Sequence, residues 1–380
     1  MNNINNLKTV NWDFTQAKTN GTTHSFHPYP AKFIPQIPRT IIKELSNEGD
    51  TVYDPFLRSG TTCVEANALR RDAIGNDVNE LAVLISKVKT TPINIEKLRS
   101  LNSLINRTFI KIEQYYDNQR EKIKRPEIIN LDLWFLDFVI DELVIIKDEI
   151  LNLQDEDLKN FCLIALSGII VNVSRQDSDT RYVRVEKKTN RKDVFDKFVK
   201  QLNKNKELMK KCHSSLKMGE TIVKVADTRT DEIFEENSAD LAVTSPPYPN
   251  AYDYHLYHKY RLFWLDMNPY DLRRNEIGAH ADYSKKNGHT EFDFKSDMEK
   301  CFKTVSKILK KNKYFVFVIG DSILKGRNIK NNELLKEVSE NTTFKYISEF
   351  SRNLNLRKKS FNPKIGNIKT ENILIFQNIK

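Results

Sequence analysis

The stretch that decides the fold is "GDTVYDPFLRSGTTCVEANALRRDAIGND", residues 49–77 of the 380-residue chain. It predicts a short strand over 51–53, a glycine- and serine-containing loop, a helix over about 61–69 and a second strand over 73–76. A strand, loop, helix and strand in this order form the first unit of a parallel sheet. The loop leaves free backbone N–H groups at the carboxyl end of a strand, where open α/β sheets bind nucleotides.

Further strand and helix patterns extend this unit into a doubly wound α/β sheet. Strands are predicted over 221–229, 239–245, 313–322, 344–350 and 372–377, and helices over about 38–45, 80–89, 254–265 and 292–309. In a plain doubly wound fold the third strand follows the second helix after a short connection. Here residues 95–216 intervene with a mostly helical pattern, which predicts a helical insertion after the second strand.

The composition narrows the class of protein. Hydrophobic residues make up 39% of the chain and charged residues 29%, which is typical of a globular protein. No apolar run is long enough to span a membrane, and the start "MNNINNLKTVNWDF" does not resemble a signal peptide, so we predict a cytoplasmic protein. The four cysteines are far apart and form no CxxC pair, which argues against a zinc site. The net charge of +10 favours a polyanionic partner without separating DNA from RNA.

A second feature is the turn "TSPPY", residues 244–248, directly after a buried strand. Its two prolines exclude both a helix and an interior strand, so the chain has to leave the sheet in a fixed, extended turn. One interpretation is a strand-ending turn with an incidental tyrosine. The other is a pocket for a flat polar molecule, formed by Ser245, the Pro246 carbonyl and the Tyr248 ring.

The glycine loop also has two interpretations when it is taken alone. It is a tight turn or a binding loop. The sequence has no GxxxxGK[ST] motif, which argues against a triphosphate-binding P-loop. Asp77 follows the second strand, where a carboxylate can accept hydrogen bonds from both ribose hydroxyls of an adenosine. Together with the Ser-Pro-Pro-Tyr turn, this acid favours a binding loop.

Several separated motifs together resemble the amino-methylating DNA methyltransferases, which use S-adenosylmethionine. The Ser-Pro-Pro-Tyr form resembles the cytosine-N4 branch, since adenine-N6 members more often carry Asp or Asn before the two prolines. The resemblance implies a class I methyltransferase-like fold, with the cofactor loop before the catalytic turn. The motifs are "HPYPAKF" (27–33), "DPFLRSGTT" (54–62), "GNDVN" (75–79), "SRQDSDTR" (174–181), "ADTR" (226–229), "TSPPY" (244–248) and "VIGDS" (318–322).

The resemblance implies catalytic roles for Ser245, Pro246, Pro247 and Tyr248. Ser245 and the Pro246 carbonyl would accept hydrogen bonds from the exocyclic amine of the target base, and Tyr248 would stack on the base. A base inside a duplex cannot reach such a turn, so it has to be flipped out. Orientation for in-line transfer supplies much of the acceleration, and no strong general base is needed.

The resemblance also implies a cofactor site. The Ser59-Gly60 backbone would approach the methionine part of the cofactor, Asp77 its ribose and Asp227 its adenine amino group, with Lys32 and Phe33 closing over the methionine end. The complete predicted set is Lys32, Phe33, Asp54, Pro55, Phe56, Ser59, Gly60, Thr61, Thr62, Asp77 and Asp227.

One residue departs from the family pattern Asp-Pro-Phe-x-Gly-Ser-Gly, because Arg58 stands at the first glycine. A long cationic side chain at a tight turn strains the loop or crowds a positively charged cofactor. Two outcomes are open: Arg58 points into solvent and activity survives, or cofactor binding is damaged and the protein is an impaired DNA-binding homologue.

The basic stretch 175–192 carries seven Arg or Lys residues against three acids. It is either a solvated loop or an arm that follows the phosphate backbone of DNA, and its place in "SRQDSDTR" favours DNA contact. The long segment 268–292 suggests a lid or a groove contact. The predicted DNA-binding residues are Arg175, Arg181, Arg184, Lys187 and Lys188.

The sequence therefore predicts a site-specific methyltransferase that acts on double-stranded DNA, with cytosine N4 as the target and without a metal or a membrane. Adenine N6 in DNA and a base in RNA are the alternatives, and a cognate restriction endonuclease is left open as a further partner. The predicted organisation is a first part of the methyltransferase domain over 1–94, a helical insertion over 95–220 and a second part over 221–380.

Overall fold

A seven-stranded sheet with one antiparallel strand forms the centre of the computed structural model, which describes residues 4–17, 21–118, 123–230, 232–354 and 370–380. The strands are β1 (Thr51–Asp54), β2 (Asp72–Asp77), β3 (Gln176–Ser178), β4 (Arg181–Arg184), β5 (Thr221–Val225), β6 (Ala239–Thr244), β7 (Leu309–Gly320), β8 (Ser322–Leu324), β9 (Arg327–Ile329), β10 (Phe344–Asn353) and β11 (Thr370–Asn378).

Helices flank the sheet and fill the segment between β2 and β5. They are α1 (Ile4–Leu7), α2 (Gln36–Leu45), α3 (Thr61–Ala68), α4 (Glu80–Thr90), α5 (Ile95–Asp117), α6 (Leu131–Trp134), α7 (Asp137–Leu151), α8 (Glu156–Val173), α9 (Asp193–Leu216), α10 (Tyr254–Tyr257), α11 (Lys259–Trp264), α12 (Pro269–Asn275), α13 (His280–Tyr283), α14 (Glu291–Ile308) and α15 (Asn331–Glu340).

The order of strands across the sheet is β10-β11-β7-β6-β1-β2-β5. Strand β11 runs antiparallel to both of its neighbours, whereas the pairs from β7 through β6, β1 and β2 to β5 are parallel. The chain first builds outward from β1 to β5 and then returns to build outward from β6. The order therefore reverses between β1 and β6, where open α/β sheets place their ligands.

Burial explains why the central strands form where they do. Every residue of β6 is buried, as expected for a strand that is covered on both faces. Two apolar clusters cover the two faces of the sheet, and a third, larger one joins α4 to the helices α5–α9. The predicted α/β fold, a doubly wound sheet with helices inserted after its second strand, is confirmed.

The structure corrects several predicted elements. The strand predicted over 221–229 ends at Val225, and the helix predicted over 254–265 is divided into α10 and α11 at His258, which has non-helical dihedral angles. The predicted loop 268–291 contains α12 and α13. The sequence signal for α12 was present, since Asn268 caps it with a side chain that accepts the Tyr270 N–H and Pro269 follows as the first helical residue.

Four further elements were not predicted: helix α1, the hairpin β3–β4, the hairpin β8–β9 and helix α15. The two hairpins have strands of only three or four residues, too short for a period-2 pattern to be recognised. Within the described parts of the chain, no helix combines the length and the apolar character needed to cross a lipid bilayer.

Candidate active site

The loop after β1 is shaped by Gly60, the N-cap residue of α3. Its φ of 69° lies in the left-handed region, and its N–H donates to the Leu57 carbonyl at 2.7 Å. A methyl group at Gly60 would lie 2.6 Å from Ser86 Oγ of α4, so glycine is required there for space as well as for conformation. From the same helix the fully buried Lys89 donates Nζ to the Ser59 carbonyl at 2.8 Å, and burial lowers its pKa well below the usual range.

Hydrogen bonds join this loop to the end of β6. The Asp54 carboxylate accepts from Thr244 Oγ1 at 2.7 Å and from the Phe56 N–H at 3.1 Å, while Thr62 Oγ1 donates to the Val243 carbonyl at 3.2 Å. Burial raises the pKa of Asp54 to about 6, although these hydrogen bonds act in the opposite direction. The glycine loop and the Ser-Pro-Pro-Tyr turn therefore meet at neighbouring strand ends, as the positions of β1 and β6 require.

The Ser-Pro-Pro-Tyr turn is stabilised by contacts of Tyr248 with neighbouring strands. Tyr248 Oη donates to Glu371 Oε1 at 3.3 Å and lies 3.5 Å from the Val318 carbonyl of β7. Its backbone passes close to Gly278, where a methyl group would lie 2.6 Å from the Tyr248 carbonyl oxygen. Ser245 is 4% exposed, and its hydroxyl lies 3.5 Å from Arg58 Nη1.

The first of the two outcomes stated for Arg58 had its side chain pointing into solvent. That placement is wrong, because Arg58 is buried. The residue is 8% exposed, with a φ of 48°, and its backbone N–H donates to Asp77 Oδ2 at 2.9 Å. The guanidinium instead donates from Nη2 to the Pro246 carbonyl at 2.7 Å and from Nη1 to the Ala31 carbonyl at 2.7 Å. The physical reason is that the Ala31 and Pro246 carbonyls supply buried acceptors for the guanidinium.

A pocket opens beside this arginine. It brings together predicted residues from four strand ends: Pro55 and Phe56 after β1, Asp77 at the end of β2, Asp227 after β5 and Pro247 after β6. The other lining residues are Tyr29, Arg58, Val78, Asn79, Ala226, Thr228, Tyr254, Leu272, Asn275, Glu276 and Ile277.

The two pocket carboxylates differ in their partners. Asp77 Oδ1 accepts the Asn79 N–H at 2.9 Å while Oδ2 accepts the Arg58 N–H, and burial raises its pKa. Asp227 is paired with Arg229, whose Nη2 lies 2.6 Å from Oδ2. Each Asp77 oxygen accepts one backbone N–H and can therefore accept a further hydrogen bond from a ligand. Asp227 already accepts the Arg229 N–H and Nε at Oδ1 and Nε and Nη2 at Oδ2.

The remaining predicted cofactor residues do not line this pocket. Lys32 Nζ donates to the His24 carbonyl at 3.0 Å, and Phe33 packs with the apolar cluster that contains α2. Ser59 Oγ and Thr61 Oγ1 are hydrogen-bonded to each other at 3.2 Å, where either hydroxyl can donate.

The sequence analysis did not predict most of the pocket residues that come from outside the sheet, among them Tyr29, Tyr254 and Glu276. Tyr29 stacks on Tyr254 with ring centroids 5.6 Å apart, and its hydroxyl accepts from Asn79 Nδ2 at 3.2 Å. Glu276 accepts the Tyr254 N–H at 2.6 Å and contacts His255 Nδ1 at 2.7 Å. A signal existed, because Tyr29 lies within "HPYPAKF" and Glu276 within the long segment predicted as a lid or groove contact.

The predicted DNA-binding residues lie on and around the hairpin β3–β4. Arg175 and Arg184 face Glu186 at 3.6 and 4.0 Å, and Arg181 faces Asp177 at 3.7 Å. Lys187 donates to the Val171 carbonyl at 2.7 Å, and partial burial lowers its pKa. The fifth predicted residue, Lys188, follows it directly. The hairpin is anchored by Tyr182, which stacks on Trp134 with centroids 4.6 Å apart.

Comparisons with known proteins agree with these motifs. A family model described as "DNA methylase" matches residues 2–88. The type II methyltransferase M.MvaI of Kocuria varians is 26% identical over 96% of this chain and 93% of its own length. The type II methyltransferase M.MjaII of Methanocaldococcus jannaschii is 24% identical over 93% of this chain and 82% of its own.

Among solved structures, a SAM-dependent methyltransferase from Methanosarcina mazei matches 93% of this chain and 99% of its own, with 11% identity and a TM-score of 0.34. The family model and the two type II methyltransferases together support a DNA amino-methyltransferase with S-adenosylmethionine as its cofactor.

Proposed function

We propose that this protein transfers a methyl group from S-adenosylmethionine to an exocyclic amine of double-stranded DNA, with cytosine N4 as the target. The observation that carries the proposal is the meeting of two loops: Arg58, within the glycine loop, lies within hydrogen-bonding distance of the Pro246 carbonyl. Carboxylates at two further strand ends, Asp77 and Asp227, line the pocket beside them.

The pocket residues fit the proposed cofactor. Asp77 would accept hydrogen bonds from the ribose hydroxyls, since each of its oxygens retains acceptor capacity. Asp227 would accept from the adenine amino group in exchange for one of its hydrogen bonds from Arg229. Bound S-adenosylmethionine supplies an electrophilic methyl group.

The protein's own groups would orient the target amine. Ser245 Oγ and the Pro246 carbonyl oxygen are hydrogen-bond acceptors, and an amine that donates to both has its lone pair directed away from them. Because an amine conjugated with its ring is a poor nucleophile, this orientation is a larger contribution than proton abstraction. Tyr248 would stack on the flipped base, and it is held by Glu371 and the strand behind it.

The choice of cytosine N4 rests on the serine before the two prolines. Adenine N6 in DNA and a base in RNA remain the alternatives. Incubation of unmethylated DNA or RNA with labelled cofactor, followed by nucleoside analysis, distinguishes them. N4-methylcytosine from DNA is the expected product; N6-methyladenine or a labelled ribonucleoside would contradict the proposed target.

Ser245→Ala tests the location of the chemistry. The variant should lower the turnover number while leaving S-adenosylmethionine affinity nearly unchanged, because the serine contacts the amine and not the cofactor. Turnover is measured by methyl incorporation and affinity by calorimetry. An equal loss of both quantities would show that the reacting groups lie elsewhere. Ser46→Ala, which removes a buried hydroxyl at the end of α2, is the control for general structural effects.

The proposed action on DNA also leaves room for a cognate restriction endonuclease as a partner, since the relatives named above are type II methyltransferases. Methylation-sensitive sequencing of DNA from cells that express the protein would identify the modified base and the recognised site together.

A further inference from the structure

Arg58 is fixed by its backbone and by three separate segments of the chain. Its φ is 48°, and its N–H is held by Asp77 on β2. The guanidinium donates to the carbonyls of Ala31 and Pro246, each at 2.7 Å, and Nη1 lies 3.5 Å from Ser245 Oγ. These contacts place the side chain at a defined point between the amino-terminal loop and the proline turn.

Two aromatic rings enclose the same guanidinium. Its central carbon lies 5.9 Å from the centroid of the Tyr248 ring and 5.8 Å from that of Tyr254. Both distances are within the range of cation–π attraction. Tyr254 is supported in turn by stacking on Tyr29. The guanidinium is therefore a planar group close to two tyrosine rings, with carbonyl oxygens as acceptors at its edge.

The flipped base in the proposed reaction would resemble this guanidinium, because it is also planar, carries an amine and would stack on a tyrosine. We infer that the Arg58 guanidinium occupies the seat of the target amine, a seat formed by Tyr248, Tyr254 and the carbonyls of Ala31 and Pro246, and that methyl transfer requires this side chain to leave. The inference rests on the proposed function and adds Tyr254 and the Ala31 carbonyl to its base site.

The positive charge of Arg58 strengthens its competition with the target amine. The Pro246 carbonyl that would receive the neutral target amine already receives a charged donor, and hydrogen bonds from charged donors are roughly twice as strong as neutral ones. The guanidinium also brings a positive charge to the place where the positively charged methyl donor would approach. Both effects oppose transfer for as long as Arg58 remains in the seat.

The decisive experiment compares Arg58→Gly with Arg70→Gly. Arg70 also has a positive φ, of 61°, but its side chain is exposed and pairs with Glu48. Both substitutions relieve the same kind of backbone strain, and only Arg58→Gly empties the seat. Arg58→Gly should raise the rate of methyl incorporation into unmethylated DNA by about tenfold or more, whereas Arg70→Gly should leave it unchanged. Arg58→Asn is a second variant, since asparagine tolerates positive φ.

A small-molecule probe tests the seat itself. Methylguanidine should inhibit Arg58→Gly competitively with DNA, because it can return to the position between Tyr248 and Tyr254. The wild-type protein should be insensitive, since its seat is filled. Adding Tyr254→Leu to Arg58→Gly should weaken the inhibition by about tenfold, through loss of one of the two rings.

The outcomes separate this inference from the proposed function. If Arg58→Gly binds S-adenosylmethionine but methylates no faster than wild type, the inference is wrong and the proposed function stands. An equal gain in Arg70→Gly would attribute the effect to the backbone and would also overturn the inference. If neither the wild type nor Arg58→Gly binds the cofactor or methylates DNA, the proposed function fails, and the inference fails with it.

Discussion

At the scale of single residues, Gly60 sets the direction of the loop that reaches the pocket. Gly60→Ala should destabilise the protein by about 3 kcal/mol, since it adds left-handed strain of about 1 kcal/mol and a contact of 2.6 Å with Ser86. Chemical denaturation measures the change. Gly49→Ala is the matched control, because Gly49 also has a positive φ but no atom within 4 Å of the added methyl group. Equal losses in the two variants would show that the contact with α4 is unimportant.

At the scale of elements, Asp54 links the ends of β1 and β6 at a cost in stability. Its pKa is about 6 in the folded protein against an ordinary value of 3.8, so the folded state binds a proton more tightly than the unfolded state. The ionised carboxylate therefore opposes folding by about 3 kcal/mol above pH 6, and this penalty disappears as the pH falls toward 4.

Asp54→Asn should accordingly be more stable than wild type at pH 8 and lose that advantage near pH 4, because the amide keeps an acceptor for Thr244 without the charge. Urea denaturation at several pH values gives the comparison. Asp240→Asn is a control of opposite sign. Lys310 and Lys313 overcome the effect of burial on Asp240 and lower its pKa, so this substitution should destabilise the protein at pH 8. A stability difference for Asp54→Asn that does not vary with pH would contradict the prediction.

At the scale of the whole molecule, the excess of positive charge should make DNA binding sensitive to salt. If the hairpin β3–β4 follows the phosphate backbone, Arg184→Ala should reduce the slope of log K against log salt by about 0.9, the value for one phosphate contact. Lys345→Ala, on the edge strand β10, should leave the slope unchanged. Fluorescence anisotropy with any duplex measures both slopes. A flat salt response of the wild-type protein would exclude phosphate contact as the source of affinity.

The sequence alone determined the sheet and its motifs, because local signals were sufficient for both. Residues 49–77 specify strand, loop, helix and strand through short-range patterns, which place Asp77 at the end of the second strand. Strand ends on one side of a parallel sheet lie close together, so the meeting of the glycine loop with Ser245–Tyr248 was predictable without coordinates.

Only the tertiary structure decided where Arg58 points and what encloses it. The direction of a side chain at positive φ depends on which acceptors the rest of the fold supplies, and Ala31, Pro246 and Tyr254 come from segments far apart in the chain. The part of the pocket formed by Tyr29 and Glu276 could not be predicted from the sequence for the same reason. Its residues carry no local period, and they face the pocket only because separate loops pack against each other over the edge of the sheet.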